Sequence, residues 1–197
     1  LDDAYEKMVE GGWICLNGGL EYGGAGLPSV IDLVNTEMLN SSNMSLGLLP
    51  MLSRAAIHAL NFFGTPEQKS LYLEKLITGV WSGTMNLTES HAGSDLSGLN
   101  TKAKRHGDHF LIYGQKIYIT WGDHELSENV VHLVLARIEG APDGNNGISL
   151  FLVPKYIVNA DGTLGARNDV RAVGLEHKLG IHASPTCTMA FGDNGGA

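Results

Sequence analysis

The spacing of hydrophobic residues changes near residue 80. Before that point apolar residues recur every three to four positions, which is typical of amphipathic helices. The spacing predicts helices over four ranges, 2–10, 28–39, 46–63 and 66–76. Tyr5, Met8 and Val9 share one face of the first helix. In the second helix we expect a buried stripe at three positions, Ile31, Val34 and Met38.

The segment after residue 80 consists of short β-branched or aromatic runs separated by Gly, Asp and Asn. These runs predict strands over residues 82–87, 101–105, 109–113, 115–120, 130–137, 147–153 and 186–191. His106, Gly107 and Asp108 predict a tight turn between two of the strands. Helices followed by strands indicate an α+β fold with two packed units. We assign residues 1–80 to a helical unit and residues 81–197 to an antiparallel β-domain.

Composition narrows the classes of function. The hydrophobic content of 43% is ample for a packed core. A net charge of -8 weighs against a nucleic-acid surface, which usually needs a basic face. No uncharged apolar run approaches the ~20 residues of a membrane span, so we expect none. Cys15 and Cys187 stand far apart and are read as reduced thiols, in line with a cytoplasmic location.

Metal and dinucleotide motifs are weak in this chain. The histidine pairs His106/His109 and His177/His182 lack cysteine or carboxylate companions at ligand spacing, so we expect no metal. Gly24-Ala25-Gly26 does not match G-x-G-x-x-G and follows no strand, which argues against a dinucleotide loop.

Residues 85–95 form the first candidate binding segment. A predicted strand leads into small residues, Ala92, Gly93 and Ser94, whose size lets backbone N–H groups approach a ligand closely. Thr88 and Ser94 add hydroxyl groups that can donate hydrogen bonds. The alternative is an ordinary strand and turn with an aspartate cap.

Residues 114–122 form the second candidate segment. Strand alternation places Ile117 and Ile119 on one face and Tyr118 and Thr120 on the other. An aromatic ring beside a hydroxyl suits a flat cofactor with polar edges. The alternative is a plain β-hairpin with a surface threonine.

In their order and spacing the two segments resemble the flavin-contacting motifs of acyl-CoA dehydrogenases, T-E-P-x-A-G-S-D and G-x-K-x-[WFY]-I-T. The resemblance extends over essentially the whole chain. It includes a Y-G-G-x-G-L-P loop at residues 22–28 and a G-T-x-E-Q-K helix start at residues 64–69. Residues 165–170 and 192–196 look most like a long bacterial branch of the family, which includes 3-methylmercaptopropionyl-CoA dehydrogenases.

The resemblance implies FAD as the cofactor. Its implied contacts are Met85, Leu87, Thr88, Gly93, Ser94, Tyr118, Ile119 and Thr120. Thr88 would bond the pyrimidine edge of the flavin, Thr120 would donate to N5, and Ser94 would also meet the acyl-CoA substrate. The chain departs from the family motifs at two places. Ser90-His91 stands where the family has proline, and Trp121 replaces an asparagine, which we expect to reshape the substrate tunnel.

The implied activity is α,β-dehydrogenation of an acyl-CoA thioester, with electron-transfer flavoprotein as acceptor and a homo-oligomeric assembly. The family's base is a glutamate in a C-terminal helical domain, which this chain lacks. We therefore expect a piece of a longer protein, inactive alone, and name no catalytic residue. Glu89 belongs to the flavin loop, and we expect a structural role for it.

Three alternatives stay open at this point. The first is an acyl-CoA oxidase or flavin monooxygenase on the same scaffold, which differs in the access of oxygen to the flavin. The second is a flavin-bearing, DNA-associated protein, against which the acidic composition weighs. The third is a helix-plus-β domain that binds no ligand.

Overall fold

The computed structural model describes residues 1–197. Three α-helices come first: α1 Asp2–Glu10, α2 Ser29–Phe63 and α3 Pro66–Thr78. Nine strands follow: β1 Trp81–Asn86, β2 Lys102–His106, β3 His109–Thr120, β4 Asn129–Ile138, β5 Ile148–Pro154, β6 Tyr156–Val158, β7 Leu164–Arg167, β8 Val170–Leu175 and β9 Thr186–Phe191. Short 3-10 turns lie at Leu20–Tyr22 and Asn145–Gly147.

The helix ends follow from local hydrogen bonding. Thr65 caps α3, since its hydroxyl accepts from the Gln68 N–H while the Gln68 side chain accepts from the Thr65 N–H. The span of α2 is broken at Asn43, where φ is -154° and ψ is 92°. The Asn43 side chain accepts the Leu46 N–H at 3.1 Å and so caps the second half. This confirms two helical segments on either side of the break.

The predicted buried stripe of the second helix is wrong. Ile31, Val34 and Met38 are 45%, 46% and 64% exposed, while Asp32 and Asn35 are buried. The helix turns its polar face inward because the loop before it has backbone groups that need partners.

Two hydrogen bonds show how that polar face is used. Asp32 accepts the Leu16 N–H at 3.3 Å, and Asn35 donates to the Trp13 carbonyl at 3.0 Å. Arg54, from the second half of α2, lies 3.4 Å from the Asp32 carboxylate and neutralises it. The first half of α2 therefore presents an apolar face to solvent.

By length and composition α2 could also cross a membrane, with a mean hydropathy of 1.2 over its most apolar window. Our expectation of no membrane span did not consider this span, because the sequence predicted two separate helices over 28–39 and 46–63. The break at Asn43 and the burial of Leu49, Ala56 and Leu60 are features of a helix that packs in a protein core. The absence of a membrane span stays a prediction.

The strands form a seven-stranded sheet in the order β1-β4-β2-β3-β9-β8, with β5 on β4, and a separate β6–β7 pair. Most pairs are antiparallel, as predicted, but β1–β4 and β2–β4 are parallel. β4 runs parallel to β1 and β2 because the β2–β3 hairpin reverses the chain at Gly107. The end of β3 then lies at the end of the sheet where β1 begins, and β4 starts from there. The segments predicted as two strands over 109–113 and 115–120 form one, β3, and strands β6 to β8 were not predicted.

Three clusters of buried residues hold the fold together. One fills the sheet around Ile112, Val134 and Phe191, and a second joins α2 and α3 to β1 and β4. The third joins α1 and the second half of α2 to Trp121, the residue directly after β3. The end of β3 is therefore packed against the helical unit.

Candidate functional site

The two candidate segments lie side by side where the sheet curls β1 toward β3. The Thr84 hydroxyl donates to the Thr120 carbonyl at 2.7 Å, and the Ile117 N–H donates to the Thr88 carbonyl at 2.9 Å. These two bonds join one segment to the other at both ends. Residues 85–88 and 117–120 therefore form one continuous wall.

A β-bulge shapes this wall. The register of β3 against β9 shifts between Lys116 and Ile119, and Tyr118 adopts a left-handed conformation with φ of 60°. The predicted regular alternation is therefore wrong: Lys116 and Ile119, three positions apart, are buried, while Ile117 is half-buried. A left-handed tyrosine is costly, so the surrounding bonds must hold it in place.

The bulge leaves polar and aromatic groups available on the wall. Tyr118 is 60% exposed, and Thr88 and Thr120 are half-buried. Neither threonine hydroxyl takes part in a hydrogen bond within the chain, in contrast to the Thr84 hydroxyl. Hydroxyl groups at the base of an exposed aromatic ring suit a planar ligand with polar edges.

The remaining predicted site residues differ in how much of each residue a ligand could contact. Met85 and Leu87 are half-buried at the end of β1. Gly93 lies close to Thr88, since a Cβ there would be 3.3 Å from Cγ2 of that threonine, and Ser94 is exposed next to it. The Ile119 side chain is buried, so its backbone is the part that a ligand could reach. The structure thus brings both predicted segments to one surface.

A buried ion pair lies directly behind the wall. Lys116 has no exposed side-chain area, and its Nζ lies 2.8 Å from Glu89 Oε1 and 3.1 Å from the Leu87 carbonyl. Sequence reasoning noted the lysine within the G-x-K motif but assigned it no role. The signal that could have found it is a lysine inside one predicted strand motif together with an acid, Glu89, in the other motif.

Glu89 has the structural role expected from the sequence. Its carboxylate accepts the Asn100 N–H at 2.7 Å, the Thr101 N–H at 3.0 Å and the Thr101 hydroxyl at 2.6 Å, besides Lys116. Burial would raise the pKa of Glu89, but these hydrogen bonds together hold the pKa below its usual value. A buried carboxylate that accepts four hydrogen bonds and has a lowered pKa is a poor general base.

Trp121 does not line an open tunnel in this chain. The side chain is 3% exposed and packs with Tyr5, Met8 and Leu46. Its indole N–H donates to the Ser45 carbonyl at 3.0 Å, next to the break in α2. The expectation that Trp121 reshapes a substrate tunnel is replaced by a role in joining the helical unit to the end of β3.

A serine–histidine pair formed by Ser82 of β1 and His124 lacks the arrangement of a nucleophile and base. His124 Nδ1 accepts the Leu126 N–H, so Nε2 carries the proton and donates to Ser82 at 3.0 Å. Burial, followed by the charge of Lys155, lowers the pKa of His124 to about 4. The histidine therefore cannot take a proton from Ser82. No group of three or more His, Cys, Asp or Glu side chains is placed to hold a metal ion.

Comparison with protein families matches both units of the chain. The acyl-CoA dehydrogenase N-terminal domain matches residues 2–80, and the acyl-CoA dehydrogenase middle domain matches residues 84–194. The chain belongs to the acyl-CoA dehydrogenase family. The wall of residues 85–88 and 117–120 lies within the middle-domain match.

The relatives of this acyl-CoA dehydrogenase chain include the 3-methylmercaptopropionyl-CoA dehydrogenase of Ruegeria pomeroyi. The two are 52% identical over 95% of the chain and 32% of the relative's length. This similarity confirms the resemblance to the long bacterial branch. The chain thus spans about a third of the length of that curated relative.

Solved structures agree on the fold. An acyl-CoA dehydrogenase from Bacillus anthracis, complexed with FAD, has a TM-score of 0.75 and 27% identity over 96% of the chain and 30% of that protein. A structure described as the electron transferring flavoprotein of Acidaminococcus fermentans has a TM-score of 0.80 and 30% identity, over 96% of the chain and 46% of that protein.

Proposed function

We propose that the whole protein catalyses FAD-dependent α,β-dehydrogenation of an acyl-CoA thioester, and that this chain supplies one wall of its flavin site. The observation that carries the proposal is the surface formed by Thr88, Tyr118 and Thr120. It presents two free hydroxyl groups and an exposed ring on two segments of an acyl-CoA dehydrogenase domain that a backbone hydrogen bond holds side by side.

The residues on this wall fit an isoalloxazine ring. FAD, when bound, supplies the capacity to accept a hydride, while the protein supplies orientation and polarisation. Thr88 and Thr120 would donate hydrogen bonds to the polar edges of the ring, and Tyr118 would cover part of it. Ser94, exposed at the end of the loop, would meet both FAD and the acyl-CoA. Glu89 is engaged in four hydrogen bonds, so we propose that a base other than Glu89, in the whole protein, takes the proton from the α carbon.

The proposal extends to partners and location. Electron-transfer flavoprotein is the proposed electron acceptor, and a homo-oligomer is the proposed assembly. The likeness to the electron transferring flavoprotein structure supports a setting of flavin-based electron transfer. A cytoplasmic location is supported by Cys15 and Cys187, both of which are free thiols. The net charge of -8 supports the absence of a nucleic-acid partner.

The first test is FAD binding by the full-length protein. We expect a yellow protein, or a colourless one that FAD titration converts to a flavoprotein. A protein that cannot be loaded with FAD contradicts the proposal. Stopped-flow reoxidation by oxygen then separates a dehydrogenase, whose reduced flavin reacts slowly, from an oxidase or monooxygenase on the same fold.

The second test removes one hydroxyl from the wall. Thr120→Val should slow flavin reduction by acyl-CoA while acyl-CoA affinity stays near that of the wild type, because the hydrogen bond matters most as the ring gains charge. Losing one such bond costs about 1–3 kcal/mol, or roughly five- to 160-fold in rate.

Thr78→Val is the matched control for that test, because the Thr78 hydroxyl donates only to carbonyls of its own helix. It should leave flavin reduction unchanged. Equal reduction rates in Thr120→Val and the wild type would show that Thr120 does not contact the reacting edge of the flavin.

A further inference from the structure

Burial of the Lys116–Glu89 ion pair carries a large desolvation free energy. Removing two charges from water costs several kcal/mol per ion, and such pairs are often no more stabilising than apolar residues of similar volume. Lys116 has no exposed side-chain area and Glu89 has 5%. The pair therefore calls for an explanation other than stability.

The position of the pair supplies one. Lys116 Nζ contacts the Leu87 carbonyl and the Glu89 carboxylate, so it holds the residues on both sides of Thr88. The next residue in β3, Ile117, donates its N–H to the Thr88 carbonyl. Thr88 is thus fixed to β3 through its own backbone and through both neighbours.

The carboxylate extends this arrangement to a third segment. Glu89 accepts hydrogen bonds from Asn100 and from Thr101, at the start of β2. The bulge at residues 117–118 lies immediately after Lys116 and contains the left-handed Tyr118. A strained conformation of this kind persists only where its surroundings over-determine it, and the ion pair is a charge-assisted restraint two residues before it.

We propose that Lys116 and Glu89 are positioning residues that set the geometry of the Thr88 and Thr120 hydroxyls for the flavin, without contacting FAD themselves. This inference rests on the proposed function. Loss of the pair should let residues 85–88 and 117–120 move relative to each other, so that the wall no longer matches the ring. A displacement of about 1 Å at a reacting centre can cost on the order of a hundred-fold in rate.

The test uses the full-length protein with Glu89→Gln, Lys116→Met and the double variant. Glu89→Gln keeps the shape of the side chain but removes its charge. We expect each single variant to bind FAD about ten-fold more weakly in titrations of the apoprotein, and to reduce each bound flavin about ten- to hundred-fold more slowly at saturating acyl-CoA. Hydrogen exchange at the Ile117 amide should accelerate in the apoproteins.

The matched control is Arg54→Met, which breaks another largely buried ion pair that anchors a loop. Arg54 pairs with Asp32 inside the helical unit and contacts neither flavin segment. This variant should lose stability yet keep the FAD affinity and reduction rate of the wild type per folded molecule. A positioning effect is thereby separated from general destabilisation.

The outcomes distinguish the two proposals. A wild type that cannot bind FAD defeats the proposed function. If the wild type binds FAD and its flavin is reduced, the proposed function stands. If Glu89→Gln then equals the wild type in FAD affinity, reduction rate and Ile117 exchange, the positioning role alone is overturned. If Lys116→Met does not fold, Lys116→Arg replaces it. Arginine keeps the positive charge but displaces the hydrogen-bond donors, so we expect a partial loss of FAD affinity. An affinity equal to that of the wild type would overturn the inference.

Discussion

Gly24→Ala should destabilise the fold because of a close approach of two loop segments. A Cβ at Gly24 would lie 2.7 Å from the Gly18 Cα and would overlap the Gly18 carbonyl group. Carbon atoms pack best at about 3.5–4.0 Å, so one segment must move by about 1 Å. Both partners are backbone atoms, and no side-chain rotation can relieve the overlap.

The cost follows from the bonds that this movement breaks. The Gly24 N–H donates to the Gly19 carbonyl at 3.0 Å, and the Gly26 N–H donates to the Gly18 carbonyl at 2.9 Å. Each bond is worth about 1 kcal/mol, and overpacking adds about 1–3 kcal/mol. The reduced entropy of the unfolded chain returns about 0.4–1 kcal/mol. We expect a net loss of about 2–5 kcal/mol in the free energy of unfolding.

The measurement is urea unfolding followed by the fluorescence of the buried tryptophans Trp81 and Trp121. Gly98→Ala is the matched control, because a Cβ there meets nothing within 4 Å and the backbone is not left-handed. That substitution should be neutral or stabilising by up to about 1 kcal/mol. The two changes are chemically identical, so a similar effect of both on the unfolding free energy would refute the steric argument.

Two further predictions concern buried polar groups. Trp121→Phe removes the donor to the Ser45 carbonyl and should lower the free energy of unfolding by about 1–3 kcal/mol in the same urea assay; no change would show that the bond is unimportant. His132 is fully buried, and burial lowers its pKa to about 3, so it is neutral in the fold. Because the unfolded histidine titrates near 6.5, the stability from His132 is present above that pH and is lost as the pH falls toward 3. His132→Asn places an oxygen where Nδ1 accepts from Asn86 and should flatten this acid-side slope; an unchanged slope would contradict the assignment.

Local chemistry explains which parts of the fold could be predicted. The start of α3 and the β2–β3 turn depend on residues close together in sequence, Thr65 with Gln68 and Gly107 with its neighbours, and both were confirmed. The face of α2 that is buried depends on what packs against it. Periodicity predicts an amphipathic helix but does not say that Asp32 and Asn35 are needed by a loop fifteen or more residues away in sequence.

In the wall of the candidate site, too, the sequence predicted local features but not those that depend on other segments. The side chains of Thr88, Tyr118 and Thr120 were recognised from the two motifs. The bulge at residues 117–118 was not, because strand alternation assumes a regular ladder with β9. The pairing of Lys116 with Glu89 was also missed, since a lysine in a strand is usually exposed and its burial depends on a carboxylate from another segment.

The end of β3 is held from two directions, and this links the helical unit to the wall of residues 85–88 and 117–120. Lys116 and Glu89 fix the strand before Tyr118, and Trp121 fixes it directly after Thr120 through the Ser45 carbonyl beside the α2 break. A kinked helix has carbonyl groups near the break that can accept a second donor. The Ser45 carbonyl, two residues after the break at Asn43, therefore connects α2 to the end of β3. A movement of the helical unit at Ser45 would be transmitted to Thr120 through one covalently adjacent residue, whereas Thr88 would stay fixed to Lys116.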